Sequence, residues 1–152
     1  MEDRITILCE DMVALRGDML PKSADIVVCN PPYRKAESGR ISPNQQRAIA
    51  RHEIRVTLYE VVETACRMLD VSGRFITIYP AERTLDILSQ MRASDLEPKW
   101  LCNIHSYRHS NAALVLIEGI KGGHSGMKIK PPLIIYREDD TYTDEVEKMM
   151  ES

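Results

Sequence analysis

Two consecutive prolines behind an apolar run constrain this chain more than any other feature. The run is Ala24–Cys29, and Asn30, Pro31, Pro32 and Tyr33 follow it directly. Apolar and β-branched residues bounded by proline are typical of a buried strand that ends abruptly. Proline donates no backbone hydrogen bond and keeps the preceding residue out of the helical conformation, which predicts a stiff, extended corner. In open α/β sheets, ligands bind beyond the carboxyl ends of such strands.

The predicted corner carries groups suited to binding a planar amine. The side-chain oxygen of Asn30 and the carbonyl oxygen of Pro31 are adjacent acceptors, and the ring of Tyr33 is a flat face for stacking. The exocyclic amine of adenine is a poor nucleophile because its lone pair is delocalised. Acceptors that pull on its N–H bonds as the nitrogen pyramidalises would favour the transition state. The structural alternative is a strand-ending turn with a surface tyrosine.

Composition favours one ordinary globular domain. The chain has 152 residues, of which 43% are hydrophobic and 28% charged, and we expect a single domain over residues 1–152. No apolar run is long enough to cross a bilayer, so no membrane partner is expected. The four cysteines are far apart, a pattern of buried free thiols in a reducing compartment, which predicts a cytoplasmic protein. His105 and His109 lack further ligands at metal spacing, so no metal site is predicted.

The order of predicted elements is that of an α/β sheet. Short apolar runs predict strands at 5–9, 24–29 and 74–79. A helical stripe predicts a helix over 53–69, and a second helix is predicted over 84–91, with Thr84 as its cap and Leu85 facing inward. Two apolar runs, 99–104 and 112–117, flank a polar stretch and predict a hairpin. The acidic tail over 137–152 carries a short helix capped by Thr143.

A basic segment follows the corner, although the whole chain has a net charge of −3. Residues 34–55 contain six arginines and lysines against two glutamates, a local balance of +4. We predict a substrate-binding loop over 34–52 that contacts nucleic acid phosphates. Its predicted contact residues are Arg34, Lys35, Arg40, Arg51 and His52. A solvated surface loop is the alternative.

Acidic residues after the first predicted strand have two interpretations. Asp11, at the carboxyl end of that strand, can accept a hydrogen bond from an adenine amine. It can also cap the next turn, and the residues alone favour the cap.

The corner and its surroundings resemble a known family. Asn-Pro-Pro-Tyr after a strand is similar to motif IV of S-adenosylmethionine-dependent amino-methyltransferases. The longer run through Gly39, Pro43 and residues 50–53, with residues 131–136 and 141–143 near the end, resembles the bacterial tRNA (adenine-N6)-methyltransferases. Those enzymes modify an adenine beside the anticodon of a valine tRNA. The resemblance covers essentially the whole of this chain, but not the whole of the family.

The resemblance implies a fold and a set of roles. The fold is a partial Rossmann-like class I methyltransferase sheet, with parallel strands and a C-terminal antiparallel hairpin. Its cofactor would be S-adenosylmethionine and its substrate tRNA. Asn30, Pro31, Pro32 and Tyr33 would be catalytic, while Asp11, Met12 and Asn30 would contact the cofactor.

The first two strands of the family's sheet have no counterpart here. The complete enzymes begin with a strand and a glycine-rich turn for the cofactor, and none of the seven glycines stands in such a place. The chain opens at the family's third strand, as a truncated domain would. We therefore expect one of three outcomes for the exposed strand edge. Strand 5–9 collapses onto strand 24–29, a second copy of the chain covers the edge, or a missing N-terminal segment does.

Two other functions remain open at this point. The same acceptor pair fits the primary amide of a glutamine, as in a protein methyltransferase that acts on a release factor. The chain is alternatively a non-catalytic RNA-binding half-domain that uses its basic loop alone. The basic loop favours RNA over a protein substrate.

The missing glycine-rich turn generates a prediction about the cofactor. We expect the 152-residue chain to bind S-adenosylmethionine poorly and to be inactive by itself, because the methionine part of the cofactor has no cradle. Isothermal titration calorimetry tests this, and tight one-to-one binding would refute it.

Overall fold

The computed structural model describes residues 5–19, 22–31 and 57–151. Three short 3-10 turns occupy Met12–Ala14, Gly17–Met19 and Ala81–Arg83. The helices and strands, in chain order, are β1 (Ala24–Cys29), α1 (Leu58–Met68), β2 (Leu69–Pro80), α2 (Thr84–Ala93), β3 (Leu96–His105), β4 (Ala112–Lys121), β5 (Lys128–Ile129), β6 (Leu133–Ile134) and α3 (Asp144–Met150).

The strands form one mixed sheet with the order β1-β2-β4-β3-β5, and β6 also pairs with β3. β1 and β2 are parallel, and β4 runs antiparallel to both β2 and β3. β1, β2 and β3 therefore point the same way, and their carboxyl ends share one edge of the sheet. The predicted α/β class is confirmed, and so is the antiparallel hairpin near the end of the chain.

A single hydrophobic core joins the helices to the sheet. Its fully buried side chains come from α1, α2 and the central strands, and include Val62, Phe75, Met91, Leu96, Val115 and Ile117. The ammonium group of Lys121, at the end of β4, donates to the carbonyl oxygens of Cys66 and Leu69 at 2.8 Å each. Because the last carbonyls of a helix lack partners within the helix, this lysine caps the carboxyl end of α1.

The helix predicted over 53–69 is confirmed in part. Thr57 and Glu60 form a capping box, which begins α1 at Leu58. Val61 and Ala65 are buried as the stripe predicts. Leu69 is also buried, but it is the first residue of β2, and residues 53–56 lie outside the described part of the chain.

The predicted strand at 5–9 was wrong. Residues 5–10 have no regular structure, and the side chains of Ile5 and Ile7 are 77% and 89% exposed. An apolar run becomes a strand only where a neighbour satisfies its backbone hydrogen bonds. No strand of the described residues pairs with this run or with the outer edge of β1. The predicted collapse of 5–9 onto β1 is therefore not observed in the described ranges.

The next predicted strand has the right bounds but less burial than expected. β1 spans Ala24–Cys29 as predicted, yet none of its residues is fully buried and Val28 is 73% exposed. Its inner face packs on α1 through Val27 and Cys29. Its outer side is bare because the sheet of the described residues ends there.

One predicted helix cap and one core position were also wrong, and Thr143 is the N-cap residue of α3 as predicted but without a side-chain capping bond. The side chain of Leu85 is 76% exposed, while Ile87 is buried on the inward face of α2. The hydroxyl of Thr84 donates to the carbonyl oxygen of Ala81 instead of capping the helix. The hydroxyl of Thr143 donates to the carbonyl oxygen of Ile134, which ties α3 to β6.

No helix of the described ranges is both long and apolar enough to cross a membrane.

The pairing of β1 with β2 contains an excursion that requires a glycine. Ala24 is opposite Leu69 and Ile26 is opposite Arg74, so residues 70–73 loop out of the ladder. A Cβ atom on Gly73 would lie 2.8 Å from the carbonyl oxygen of Asp70 and 3.2 Å from that of Ala24. Both are backbone atoms, so relief requires a shift of the main chain.

We therefore expect Gly73→Ala to lower the free energy of unfolding by about 1–3 kcal/mol through overpacking. Gly17→Ala is the matched control, because its Cβ atom would meet nothing nearer than 3.7 Å. Urea titrations of both variants measure the effect. Equal midpoints for Gly73→Ala and the unaltered chain would contradict it.

Candidate active site

The corner after β1 is held by the register of the parallel pair. Cys29 lies opposite Thr77, so Asn30 and Pro31 continue alongside the end of β2. Asn30 is exposed, and Pro31 is buried beneath it. The amide of Asn30 thus stands at the carboxyl edge of the sheet, outside the core. Pro32 and Tyr33 lie beyond the described residues.

The end of β2 adds groups to this edge that the sequence interpretation missed. Tyr79 is buried, and burial raises the pKa of its phenol. The positive charge of Arg83 lowers this pKa, but by less than burial raises it. The guanidinium of Arg83 lies 5.2 Å from the centre of the Tyr79 ring and 3.0 Å from a carboxylate oxygen of Asp86. That hydrogen bond from Arg83 to Asp86 is the main cause that raises the pKa of Arg83. The sequence signal that could have revealed these groups is the polar residues just after the end of the predicted strand.

Asp11 and Met12 form part of a turn packed along α1. A carboxylate oxygen of Asp11 accepts from the amide of Val13 at 3.0 Å, so the capping role is present. Met12 is half-buried against the core. Hydrogen bonds from Thr57 lower the pKa of Glu60, and the charge of Asp11 opposes them, which places Asp11 near the start of α1.

The direction of α1 brings Asp11 to the same edge as Asn30. A helix that connects two parallel strands runs back from the carboxyl edge to the amino edge of the sheet. α1 therefore begins near the end of β1, and Asp11 lies beside that beginning. The two predicted cofactor contacts, Asp11 and Asn30, share one edge of the sheet, although 19 positions separate them in the sequence.

One arginine fixes the turn that carries Asp11. Arg67 of α1 donates to the carbonyl oxygen of Leu15 at 2.9 Å and to that of Val13 at 3.1 Å. It also contacts the hydroxyl of Thr64 within its own helix. Since residues 5–10 have no pairing of their own, these bonds are the main polar attachment of the turn to α1.

The predicted RNA contacts cannot be placed. Arg34, Lys35, Arg40, Arg51 and His52 all lie outside the described residues. Over the described ranges there is no group of three or more potential metal ligands. His105 contacts the carbonyl oxygen of Ser110 at 2.7 Å, in the turn that joins β3 to β4.

The arrangement suits hydrogen bonding to an amine at the sheet edge. The exposed carboxamide of Asn30 and the adjacent carbonyl of Pro31 provide acceptors, and Asp11 provides an exposed carboxylate near the start of α1. A ligand with an adenine ring on the Asp11 side and an amine at Asn30 would span this edge.

Solved structures share this fold. The chain superposes with a TM-score of 0.62 on a predicted O-methyltransferase from Agrobacterium tumefaciens, at 18% identity, covering 82% of this chain and 50% of that one. A chain of a type I restriction–modification system gives a TM-score of 0.55 at 15% identity, covering 97% of this chain and 32% of that one. The described part of the chain therefore has the α/β fold of these solved structures, over half or less of their length.

Curated proteins give a more specific likeness. The chain is 29% identical over 126 residues to the tRNA1(Val) (adenine(37)-N6)-methyltransferase of Shewanella woodyi, covering 80% of this chain and 51% of that protein. It is 29% identical over 118 residues to the same enzyme of Porphyromonas gingivalis, covering 76% and 46%. The chain thus spans about half the length of the curated relatives it matches. No family model matches the chain.

The hydrogen bonds of Arg67 generate a prediction about the turn that carries Asp11 and Met12. Arg67→Leu should speed amide hydrogen exchange at Ala14 and Leu15 by about tenfold or more, because opening the turn no longer breaks bonds to the guanidinium. Arg92→Leu is the control, since Arg92 pairs only with Glu97 at the other edge of the sheet. Exchange rates that are unchanged in Arg67→Leu would show that packing of Met12 alone holds the turn.

Proposed function

We propose that this chain carries the acceptor-binding half of an S-adenosylmethionine-dependent methyltransferase that acts on the N6 amine of an adenine in tRNA. The proposal rests on the position of Asn30 and Pro31 at the carboxyl end of a parallel strand, where Asn30 is exposed and Pro31 is buried. The likeness to curated tRNA adenine-N6 methyltransferases supports it. The predicted cytoplasmic location is part of the same proposal, and the free state of all four cysteines is consistent with it.

In this proposal the corner acts on the amine directly. The oxygen of the Asn30 side chain and the carbonyl oxygen of Pro31 accept one N–H bond each, which localises the lone pair on nitrogen. These bonds strengthen as the nitrogen becomes tetrahedral, so they lower the barrier instead of only tightening binding. Tyr33 would stack on a base turned out of the RNA, and Pro32 would keep the corner stiff.

The described residues fit one end of the cofactor. S-adenosylmethionine supplies an electrophilic methyl group when it is bound. Asp11 and Met12 would hold its adenine, since the carboxylate of Asp11 is exposed and the side chain of Met12 is an apolar surface beside it. No glycine-rich turn that could hold the methionine end is present in the sequence.

The open edge of β1 supports a requirement for a further segment. A parallel strand with exposed Ile26 and Val28 and no partner on its outer side in the described ranges is a site for strand pairing. We infer that strands which carry the glycine-rich turn cover this edge in the active enzyme, and that the chain alone is inactive. A second copy of the chain is the other occupant, and it would bring no cofactor cradle.

The basic residues of 34–52 complete the proposal. Directly after the corner, Arg34, Lys35, Arg40, Arg51 and His52 would bind phosphates around the target adenine. The acceptor pair alone also fits a glutamine amide of a release factor. The excess of positive charge in this segment favours RNA.

Methyl transfer in a reconstituted enzyme tests the proposal. The glycine-rich amino-terminal part of a curated relative is fused ahead of residue 1, and transfer from labelled S-adenosylmethionine to total tRNA and to a release factor is measured. We expect transfer to tRNA by the fusion and none by the chain alone. Asn30→Ala should lower kcat by about 10²-fold or more, as loss of a transition-state hydrogen bond does.

Matched controls separate the outcomes. Asn103→Ala removes the same side chain from β3, three strand spacings from β1, and should leave kcat unchanged. Transfer to the release factor alone would favour the glutamine-amide function. Binding of tRNA without transfer, unaffected by Asn30→Ala and Tyr33→Ala, would favour a non-catalytic RNA-binding half-domain.

A further inference from the structure

A cleft of about 660 Å³ lies beside the turn that joins β3 to β4. On one side it is lined by the turn over 106–111, and on the other by the chain from β6 to the start of α3. Its lining includes Tyr107, Arg108, His109, Tyr136, Arg137 and Thr143. A smaller cleft, of about 380 Å³, lies at the opposite edge, around residues 70–74.

The sheet register places this cleft at the same edge as the corner. Leu114 of β4 is paired with Pro80 of β2 and with Ile104 of β3, so the ends of β2 and β3 are level. Asn30 continues beside the end of β2. Three strand spacings separate β1 from β3, a distance of about 14 Å. The cleft and the corner therefore lie at the same edge of the sheet, close enough for one large ligand to reach both.

The turn itself is rigid and presents two basic side chains. The amide of Ser110 donates to the carbonyl oxygen of Tyr107 at 3.0 Å, and the hydroxyl of Ser110 joins both backbone groups of Tyr107. Arg108 and His109 occupy the two middle positions and are exposed. Within the described part of the chain, neither side chain makes an ion pair or a hydrogen bond.

The wall of the cleft is aromatic and held in place. The ring centres of Tyr107 and Tyr136 are 5.7 Å apart, and those of Tyr136 and Tyr142 are 5.3 Å apart and stacked. The hydroxyl of Tyr107 donates to a carboxylate oxygen of Asp140 at 2.6 Å. Tyr107 nevertheless remains 41% exposed, so part of its ring faces solvent.

The charges of the cleft are divided between its two sides. Arg137 is neutralised by Asp144 and Glu147 of α3. The segment from 137 to 151 carries seven acidic residues against two basic ones, so its side of the cleft repels phosphate. The guanidinium of Arg108, which has no ion-pair partner among the described residues, and the imidazole of His109 lie on the turn side. This distribution of charge attracts a polyanion to the turn, where the planar bases of a nucleic acid would lie next to the tyrosine rings.

We propose that this cleft binds a single-stranded part of the tRNA next to the target adenine. Arg108 and His109 bind a backbone phosphate, and the exposed part of the Tyr107 ring stacks on a neighbouring base. The inference rests on the proposed function and adds a substrate contact to those proposed for the basic segment 34–52.

Binding of labelled tRNA, measured by fluorescence anisotropy at about 50 and about 200 mM salt, tests the proposal. Arg108→Ala should weaken binding by roughly tenfold and reduce the salt slope by about 1, as loss of one phosphate contact does. Arg92→Ala removes the same charge at the opposite edge and should change neither quantity. Tyr107→Ala should weaken binding by roughly tenfold, whereas Tyr107→Phe, which keeps the ring, should not.

The outcomes for this inference and for the proposed function are distinct. Equal affinities and salt slopes for Arg108→Ala and Arg92→Ala would overturn the inference, while methyl transfer by the fusion would still stand. Failure of the unaltered chain to bind tRNA would overturn it as well. Arg108-dependent binding of a release-factor peptide, without Arg108-dependent binding of tRNA, would assign the cleft to a protein and overturn it. Because Arg108 is exposed and makes no ion pair or hydrogen bond with the described residues, we expect its variant to fold normally, which a thermal melt checks.

Discussion

The parallel pairing of β1 with β2 is the constraint on which the site depends. Its register sets Cys29 against Thr77, and this brings Asn30 to the level of Ile78 and to the edge of the sheet. A slip of one residue would reverse the facing of every side chain on β1 and turn Val27 and Cys29 away from α1. Residues 70–73 loop out of the ladder, and the close backbone approach at position 73 favours glycine there. This excursion keeps the register from slipping.

The rest of the molecule supports this pair from one side. α1 packs on β1 and β2, Lys121 of β4 caps its end, and Arg67 attaches the turn of Met12 to it. The helix thereby joins the turn of Asp11 and Met12 to the strand that ends at Asn30. The antiparallel pairing of β4 with both neighbours brings the β3–β4 turn to the same edge. Three segments far apart in sequence thus share one surface.

Local patterns predicted most of the sheet, and the errors have physical reasons. The hairpin, β1 and the stripe of Val61 and Ala65 follow from periodicity and breakers that are visible in the residues themselves. The run at 5–9 had the composition of a strand, but pairing decides strands and composition does not show it. Ile87 faces the core and Leu85 faces solvent, because two residues along a helix point to opposite sides of it.

The candidate site also has one part that local sequence predicts and another part that it does not. The end of β1 before Asn30 and Pro31 is a local feature, and the sequence alone was enough to predict it, while the role of the corner stays a prediction. The groups around Tyr107 were not predictable from their neighbours. Tyr107 contacts Asp140 and Tyr136, about thirty positions away, and such contacts exist only once β6 pairs with β3.

The single-sided attachment of β1 has an energetic consequence. β2, β4 and β3 each have two neighbours or a close hairpin partner, so they form the part of the sheet with the shortest loops to close. β1 joins across a long connection and has one neighbour, which makes it the first strand to open. Whatever pairs with its outer side stabilises the strand and the corner at Asn30 in a single equilibrium. Assembly of the sheet at this edge and ordering of the corner are then linked thermodynamically.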